Sequence, residues 1–219
     1  MTKRLETLFA LVTPCKILAD VGCDHGFIAK AALDKGVAKK VIISDISEKC
    51  LEKAKKLLEP YGDRVSSYVC DGLSAYEGVP DVAFIAGMGG DEITSIIGAL
   101  EILPEKFVLS PQKNSYKVRK ILIEKGYAIT ADFTFKDGKF YDAIAAEKGE
   151  AKFYNEKELY FGKDNLAYFP ADFTEKINAG INLLQAVLCE DDLSLENRLE
   201  AERKLNDLKE ILKLKGNIK

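Results

Sequence analysis

The 219-residue sequence predicts an α/β fold: a parallel sheet with helical crossovers that finishes in an antiparallel hairpin and is followed by a helical appendage. Three observations carry this expectation. Short runs rich in β-branched residues alternate with helix-period segments over residues 1–150. An Asp-Gly pair then joins two strand-like runs, and beyond it the texture changes to long amphipathic stretches. With 47% hydrophobic residues the chain can bury a sizeable core.

In order, Lys3 and Arg4 open an N-terminal helix, "KILADV" is a first strand, and "GFIAKAALDKG" is a helix closed by Gly36. "KVIISDI" is a second strand, and Ser47 caps the helix "SEKCLEKAKKLL". "VSSYVC" and "DVAFIAG" follow as strands, then a helix from Asp91, the strand "KFVLS" and the helix "SYKVRKILIEKG" ending at Gly126. Asp137-Gly138 marks the hairpin, because its turn type requires positive φ. The division expected is a first domain over 1–150 and a second over 151–219. The second opens with a loop-rich bridge through "FGKDNLAYFP", punctuated by Pro170. Ile177, Ile181, Leu184 and Leu188 then repeat at helical spacing, as do Leu195, Leu199, Leu205, Leu208 and Leu212 after a turn at "EDDLS". Two antiparallel helices are expected, as a helical hairpin or short coiled coil.

The formal charge of −3 is spread evenly, so a nucleic-acid partner would have to be held by a local basic patch. No apolar run approaches the roughly 20 residues of a membrane span, and the N-terminus lacks the pattern of a secretory signal, so a cytoplasmic protein without membrane attachment is expected. Cys15, Cys23, Cys50, Cys70 and Cys189 are scattered, and a single histidine accompanies them. Neither a disulfide framework nor a metal site is supported.

The chemistry concentrates in "ILADVGCDHGF", residues 17–27. It ends a strand and opens a helix, where α/β sheets bind ligands. The spacing Gly22-x-x-x-Gly26 matches neither the dinucleotide fingerprint nor the Walker loop. Asp20, Asp45 and Asp71 end three successive strands. A ligand with an adenosine and a charged amino-acid end accounts for all three: Asp20 facing a cationic group, Asp45 the ribose hydroxyls and Asp71 the adenine amino group. S-adenosylmethionine is such a ligand.

At this point the sequence resembles a class I methyltransferase, with its Rossmann-like sheet and terminal antiparallel hairpin. More narrowly, "RLETLFALV", "ADVGCDHGF", "DGLSAY", "IAGMGG" and "GKFYDAI" are similar to the bacterial tRNA (adenine-22-N1)-methyltransferase family. The resemblance implies S-adenosylmethionine as cofactor and tRNA as partner, in a monomer or weak oligomer. It assigns Asp20, Gly22 and the following loop with Cys23 to the methionine end, Asp45 with Ile46 to the ribose, and Asp71 with Gly72 to the adenine. Ala86, Gly87, Met88, Gly89 and Gly90 occupy the place where adenine-N6 methyltransferases carry an Asn-Pro-Pro-Tyr type motif. The tetrad's absence suits N1, whose in-plane lone pair attacks without prior loss of a proton. Ala86 and Gly87 are thereby expected against the cofactor, and Gly87 with Met88 at the reacting base. Asp24 is the candidate to stabilise the cationic product, and His25 to orient the loop, contact the cofactor or shuttle a proton. For the RNA, the expected contacts are Lys3, Arg4, Lys113, Asn114, Arg119, Lys139 and the ring of Tyr141. The loop "SPQKN" after the fifth strand departs from the family's order of residues. A methyltransferase acting on a small molecule or protein, and a non-catalytic cofactor- or RNA-binding protein, remain alternatives at this level.

Overall fold

The computed structural model describes residues 1–190 and 192–216. The chain opens with α1 (Lys3–Phe9), β1 (Cys15–Val21), α2 (Phe27–Asp34), β2 (Ala38–Asp45), α3 (Glu48–Leu58) and β3 (Val65–Val69). There follow β4 (Val82–Ala86), α4 (Gly90–Ala99), β5 (Lys106–Ser110), α5 (Ser115–Glu124), β6 (Tyr127–Asp137) and β7 (Lys139–Lys148). The caps expected from sequence are formed: Ser47 accepts a hydrogen bond from the Cys50 N–H, and Gly36 and Gly126 take positive φ after α2 and α5.

The seven strands form one sheet in the order β3-β2-β1-β4-β5-β7-β6. The first five are parallel, while β7 runs antiparallel to both β5 and β6. Central strands that are buried on both faces read as continuous apolar runs, as in Leu18–Val21, Val41–Ile43 and Val82–Ile85. One face packs on α1, α2 and α3 through Leu8, Ile28, Leu51 and Leu58, and the other on α4 and α5 through Ile93, Ile97, Val118 and Leu122. Each such side chain contributes about 1.5–3 kcal/mol by leaving water.

The C-terminal region is more ordered than its sequence suggests. The expected loop-rich bridge holds two short helices, α6 (Glu156–Phe161) and α7 (Lys163–Tyr168), before the long pair α8 (Ala171–Leu188) and α9 (Leu195–Lys215). Asn155 opens α6 with a capping box shared with Glu158. Gly162, at φ +89°, makes the sharp turn into α7. The helical stripe is shorter than its leucines imply. Ile177, Ala201, Leu205 and Ile211 are buried, but Leu195 and Leu199, in the first turns of α9, are 73% and 58% exposed. Asp191, in the predicted turn, lies outside the described residues.

What joins this region to the sheet is polar. The edge strand β6 would present unpaired N–H groups to solvent. Instead the N–H groups of Asp132, Thr134 and Lys136 donate to the side chains of Asp164, Asn165 and Asp172 at 2.8–2.9 Å. Arg119 of α5, wholly buried, lies against Asp132, its Nε donating at 2.9 and 3.0 Å and its Nη2 2.8 Å from Oδ1 as an ion pair, while Nη1 donates to the Leu159 carbonyl. Arg119 is therefore not an RNA contact. The helix periodicity of α5 turns it inward, beside Val118, and its charge is neutralised within the protein. Asp142 accepts from Thr134, Ser115 and Lys176. Burial pushes its carboxyl up, but Lys176 and Arg119 outweigh this and hold it at about 2. Removing one partner of such a pair leaves a desolvated charge. Asp132→Ala should accordingly lower stability by about 3–5 kcal/mol in equilibrium urea unfolding, whereas substitution of the exposed Leu199 by Ala should change it by about 0.5 kcal/mol or less.

Candidate active site

The carboxyl ends of β1 to β5 share one edge of the sheet, and a cleft of about 640 Å³ opens there above β1 and β4. Its walls include Asp20, Gly22, Cys23, Asp24, His25, Phe27, Phe84, Ala86, Gly87, Gln112 and, from α1, Arg4 and Leu5.

The floor is the loop after β1. Gly22 and Cys23 donate their N–H groups to the Ser44 carbonyl at 2.8 and 3.1 Å, which lays the loop across the end of β2. Gly22 and Gly26 take φ of +67° and +72°, and Asp24 itself is left-handed at +46°, a strained conformation for a residue with a side chain. At Gly22 a Cβ would lie 2.2 Å from the Met88 Cε, so the loops after β1 and β4 are in contact. At Gly26 a Cβ would meet Ala54 at 3.0 Å, so α2 approaches α3 closely.

Asp20 is 4% exposed and, among the described residues, accepts one hydrogen bond, from the Ala29 N–H at 3.1 Å. Burial pushes its carboxyl up to about 7, the Ala29 N–H opposing and Asp45 adding to the effect. A buried carboxylate with so little internal compensation suits a cationic ligand group. Asp45 is placed by Ser47 N–H at 2.8 Å and Asp24 N–H at 3.3 Å, and Ile46 beside it is 75% exposed. Asp45 faces Val69 in the register of β2 with β3, which brings Asp71 onto the same rim, exposed. Gly72 is pinned by the Ser44 hydroxyl, which donates to its carbonyl at 2.6 Å, and a Cβ there would lie 2.7 Å from Ile96. Asp45, Ile46, Asp71 and Gly72 therefore flank the enclosed cleft as an open shelf.

Cys23 is no nucleophile: burial, with Asp20 and Asp45 nearby, pushes its thiol up and keeps it protonated. His25 lies at the cleft margin, its Nδ1 2.8 Å from Asp24 Oδ2 and its ring stacked on Phe27 with centroids 5.5 Å apart.

The loop after β4 is braced by the one after β5. The Gln112 side-chain amide donates to the Gly87 carbonyl at 2.7 Å, its N–H to the Met88 carbonyl at 2.9 Å, and the Gly90 N–H to the Lys113 carbonyl at 2.8 Å. A Cβ at Gly90 would lie 2.4 Å from the Asn114 carbonyl oxygen, so this glycine exists for loop contact rather than for a ligand. Gln112, Phe27 and Ser44 are the residues that sequence reasoning missed. Position was the only signal available for them: Gln112 and Phe27 follow strands five and one, and Ser44 is the next-to-last residue of strand two.

Of the expected RNA contacts, Lys3, Lys113 and Lys139 are exposed. Asn114, left-handed at φ +57°, donates to Asp91. Tyr141 is half-buried, with Arg4 over its ring at 5.1 Å and Phe135 stacked at 5.7 Å, so its ring is occupied within the protein. Among the described residues no group of three or more His, Cys, Asp or Glu side chains is placed to hold a metal ion, and no helix is long and apolar enough to cross a membrane.

A parallel sheet closed by an antiparallel strand inserted between its last two, with an acid-lined shelf and a glycine-built cleft at its carboxyl edge, defines a class I methyltransferase fold. The chain belongs to the methyltransferase domain family, whose model matches residues 1–144. It is 31% identical over 169 residues to a Mycoplasma pneumoniae protein named "Putative tRNA methyltransferase", covering 74% of this chain and 79% of the relative. It is 29% identical over 157 residues to the tRNA (adenine(22)-N(1))-methyltransferase of Bacillus subtilis, covering 68% and 66%. A Streptococcus pneumoniae structure described as "a putative tRNA (m1A22) methyltransferase, in complex with S-adenosyl-L-methionine" superposes with a TM-score of 0.84 at 28% identity, covering 97% and 99%.

The sign of the Asp20 effect is testable. An unfolded aspartate ionises near 3.8 and the buried one near 7, so between these values the native state holds a proton that the unfolded chain has released. Stability of the protein without ligand should fall as pH rises from about 4 to 7, by at most about 4 kcal/mol, and Asp20→Asn should flatten that decline in unfolding measured across the interval.

Proposed function

We propose that the protein transfers the methyl group of S-adenosylmethionine to N1 of adenine 22 in tRNA, acting in the cytoplasm. The observation that carries this reading is the site itself: three acids at the ends of β1, β2 and β3, joined to a cleft whose β4 loop is built of glycines. The names of the relatives point the same way.

The cradle suits the cofactor on its own geometry. Gly22 and Gly87 line the cleft with bare backbone, and among the described residues Asp20 has no cationic partner. Asp20 and the loop through Cys23 would hold the methionine end, Asp45 and Ile46 the ribose, and Asp71 with Gly72 the adenine. When bound, S-adenosylmethionine supplies an electrophilic methyl on a sulfonium, which the in-plane lone pair of adenine N1 takes.

The protein's part is alignment and charge. The Gln112 brace holds Gly87 and Met88 still beneath the incoming base, and a fixed approach supplies much of the rate. Asp24 stands at the cleft wall with its carboxylate beside His25, placed to offset the positive charge that methylation leaves on the base. The stacked and exposed rings of His25 and Phe27 offer a platform for an unstacked base. Lys3, Lys113 and Lys139, with Asn114, flank the same edge and would meet phosphates.

Unmodified tRNA transcripts incubated with the protein and S-adenosylmethionine should yield 1-methyladenosine by nucleoside mass spectrometry, and a transcript with guanine at position 22 should yield none. No methylated nucleoside from either, with cofactor binding intact, would overturn the reading. Asp45→Ala should raise the Kd for S-adenosylmethionine about tenfold to a hundredfold in calorimetry, and unchanged affinity would displace the ribose from Asp45. Cofactor affinity should also rise with pH through about 7 in the parent protein, as Asp20 ionises, and lose that dependence in Asp20→Asn.

A further inference from the structure

We propose that Arg4 is the seat of an oxyanion at the cleft mouth, a carboxylate or phosphate oxygen that completes its guanidinium only when ligand is bound; the inference rests on the reading of the cleft given above. The backbone at Arg4 is fixed before any ligand arrives. Thr2 caps α1 by accepting from the Leu5 N–H, the Arg4 N–H donates to Asp137 Oδ2 at 2.8 Å, and Lys3 Nζ donates to the Lys136 carbonyl at 3.0 Å. The start of α1 is thus clamped to the tip of the β6-β7 hairpin.

From that clamp the side chain lies over Tyr141 with its Cζ 5.1 Å from the ring centre, and its Nη2 comes within 3.2 Å of where a Cβ on Gly87 would be. Its Nε is buried and, among the described residues, without a hydrogen-bond partner. Among the described residues no carboxylate forms an ion pair with it. A ring face attracts the cation but cannot accept its in-plane N–H groups, which remain a planar fork matched to two oxygens. Arg119 shows the contrast, since its fork rests on Asp132 inside the protein.

The surroundings narrow the ligand. Asp20 and Asp24 line the same cleft and repel a free anion, so the oxyanion must arrive on a molecule that also carries a cationic or neutral part to meet those acids. The reaction offers two: the α-carboxylate of the cofactor, beside its ammonium and sulfonium, and a phosphate of the target nucleotide, beside its base.

The experiment uses Arg4→Met, which keeps an unbranched side chain over Tyr141 without charge, and Arg4→Lys, which keeps the charge without the fork. Thermal melting first establishes that both variants fold like the parent. Calorimetry then measures S-adenosylmethionine, its decarboxylated analogue and unmodified tRNA, the last at two salt concentrations. Loss of about tenfold or more toward S-adenosylmethionine in Arg4→Met, with the decarboxylated analogue unaffected and Arg4→Lys intermediate, assigns the cofactor carboxylate. Unchanged cofactor affinity with weaker tRNA binding, and a salt slope reduced by about one, assigns a phosphate. Equal loss toward the cofactor and its decarboxylated analogue, or no change toward any of the three, overturns the proposal. Failure of the parent protein to form 1-methyladenosine would remove the tRNA reading while leaving the carboxylate arm to be decided by these affinities.

Discussion

The desolvated charge of Arg119 is the constraint around which the molecule is organised. A guanidinium with no access to water must be matched inside the protein, and here the matching groups come from three elements at once: Asp132 of β6, Asp142 of β7, and the carbonyls of Leu159 and Tyr160 in α6. Satisfying it fixes the position of α5 against the hairpin and draws the first C-terminal helix onto both. Gly162 shows how tight that fit is, because a Cβ there would lie 2.9 Å from Asp132 Oδ1 and 3.0 Å from Arg119 Nη2. The same clasp carries Asp164, Asn165 and Asp172 to the N–H groups of β6, so one polar network neutralises a charge and covers an open sheet edge.

The hairpin held in this way reaches back to the site. The first residues of β7 extend past the end of β5, whose Leu109 pairs with Ile144, and so carry Tyr141 and the Asp137 turn above the carboxyl edge of the sheet. There they receive the start of α1 and set Arg4 against the cleft. Among the described residues the C-terminal helices contribute nothing to the walls of the cleft, yet they anchor the strands that bring the N-terminal helix to it. Opposite, the β1 loop is laid over β2 by Ser44, and the β4 loop is held by Gln112. The cleft is thus shaped from both sides by backbone and amide hydrogen bonds, with its ionisable groups left to meet a ligand.

By itself the sequence determined the alternation of strands and helices, the hairpin at Asp137-Gly138, the caps, and the placing of Asp20, Asp45 and Asp71 at the ends of three strands, because period and turn chemistry are local. Parallel crossovers narrowed the arrangement of the strands, but their order was read from the structure and not from the sequence. The tertiary structure alone decided which polar residues face inward. Arg119 looked like one of a group of cations beyond β5, but its helical phase and the distant Asp132 make it a buried clasp. Tyr141 looked available to a base and is held by Arg4 and Phe135, and Leu195 and Leu199 looked like core and face solvent. In "FGKDNL" the residues read as a loop, and only the separation of about thirty positions between Asn165 and Thr134, closed by folding, gives that segment its purpose. Local periodicity encodes elements; long-range charge matching, which no window of sequence contains, decides how they lock together.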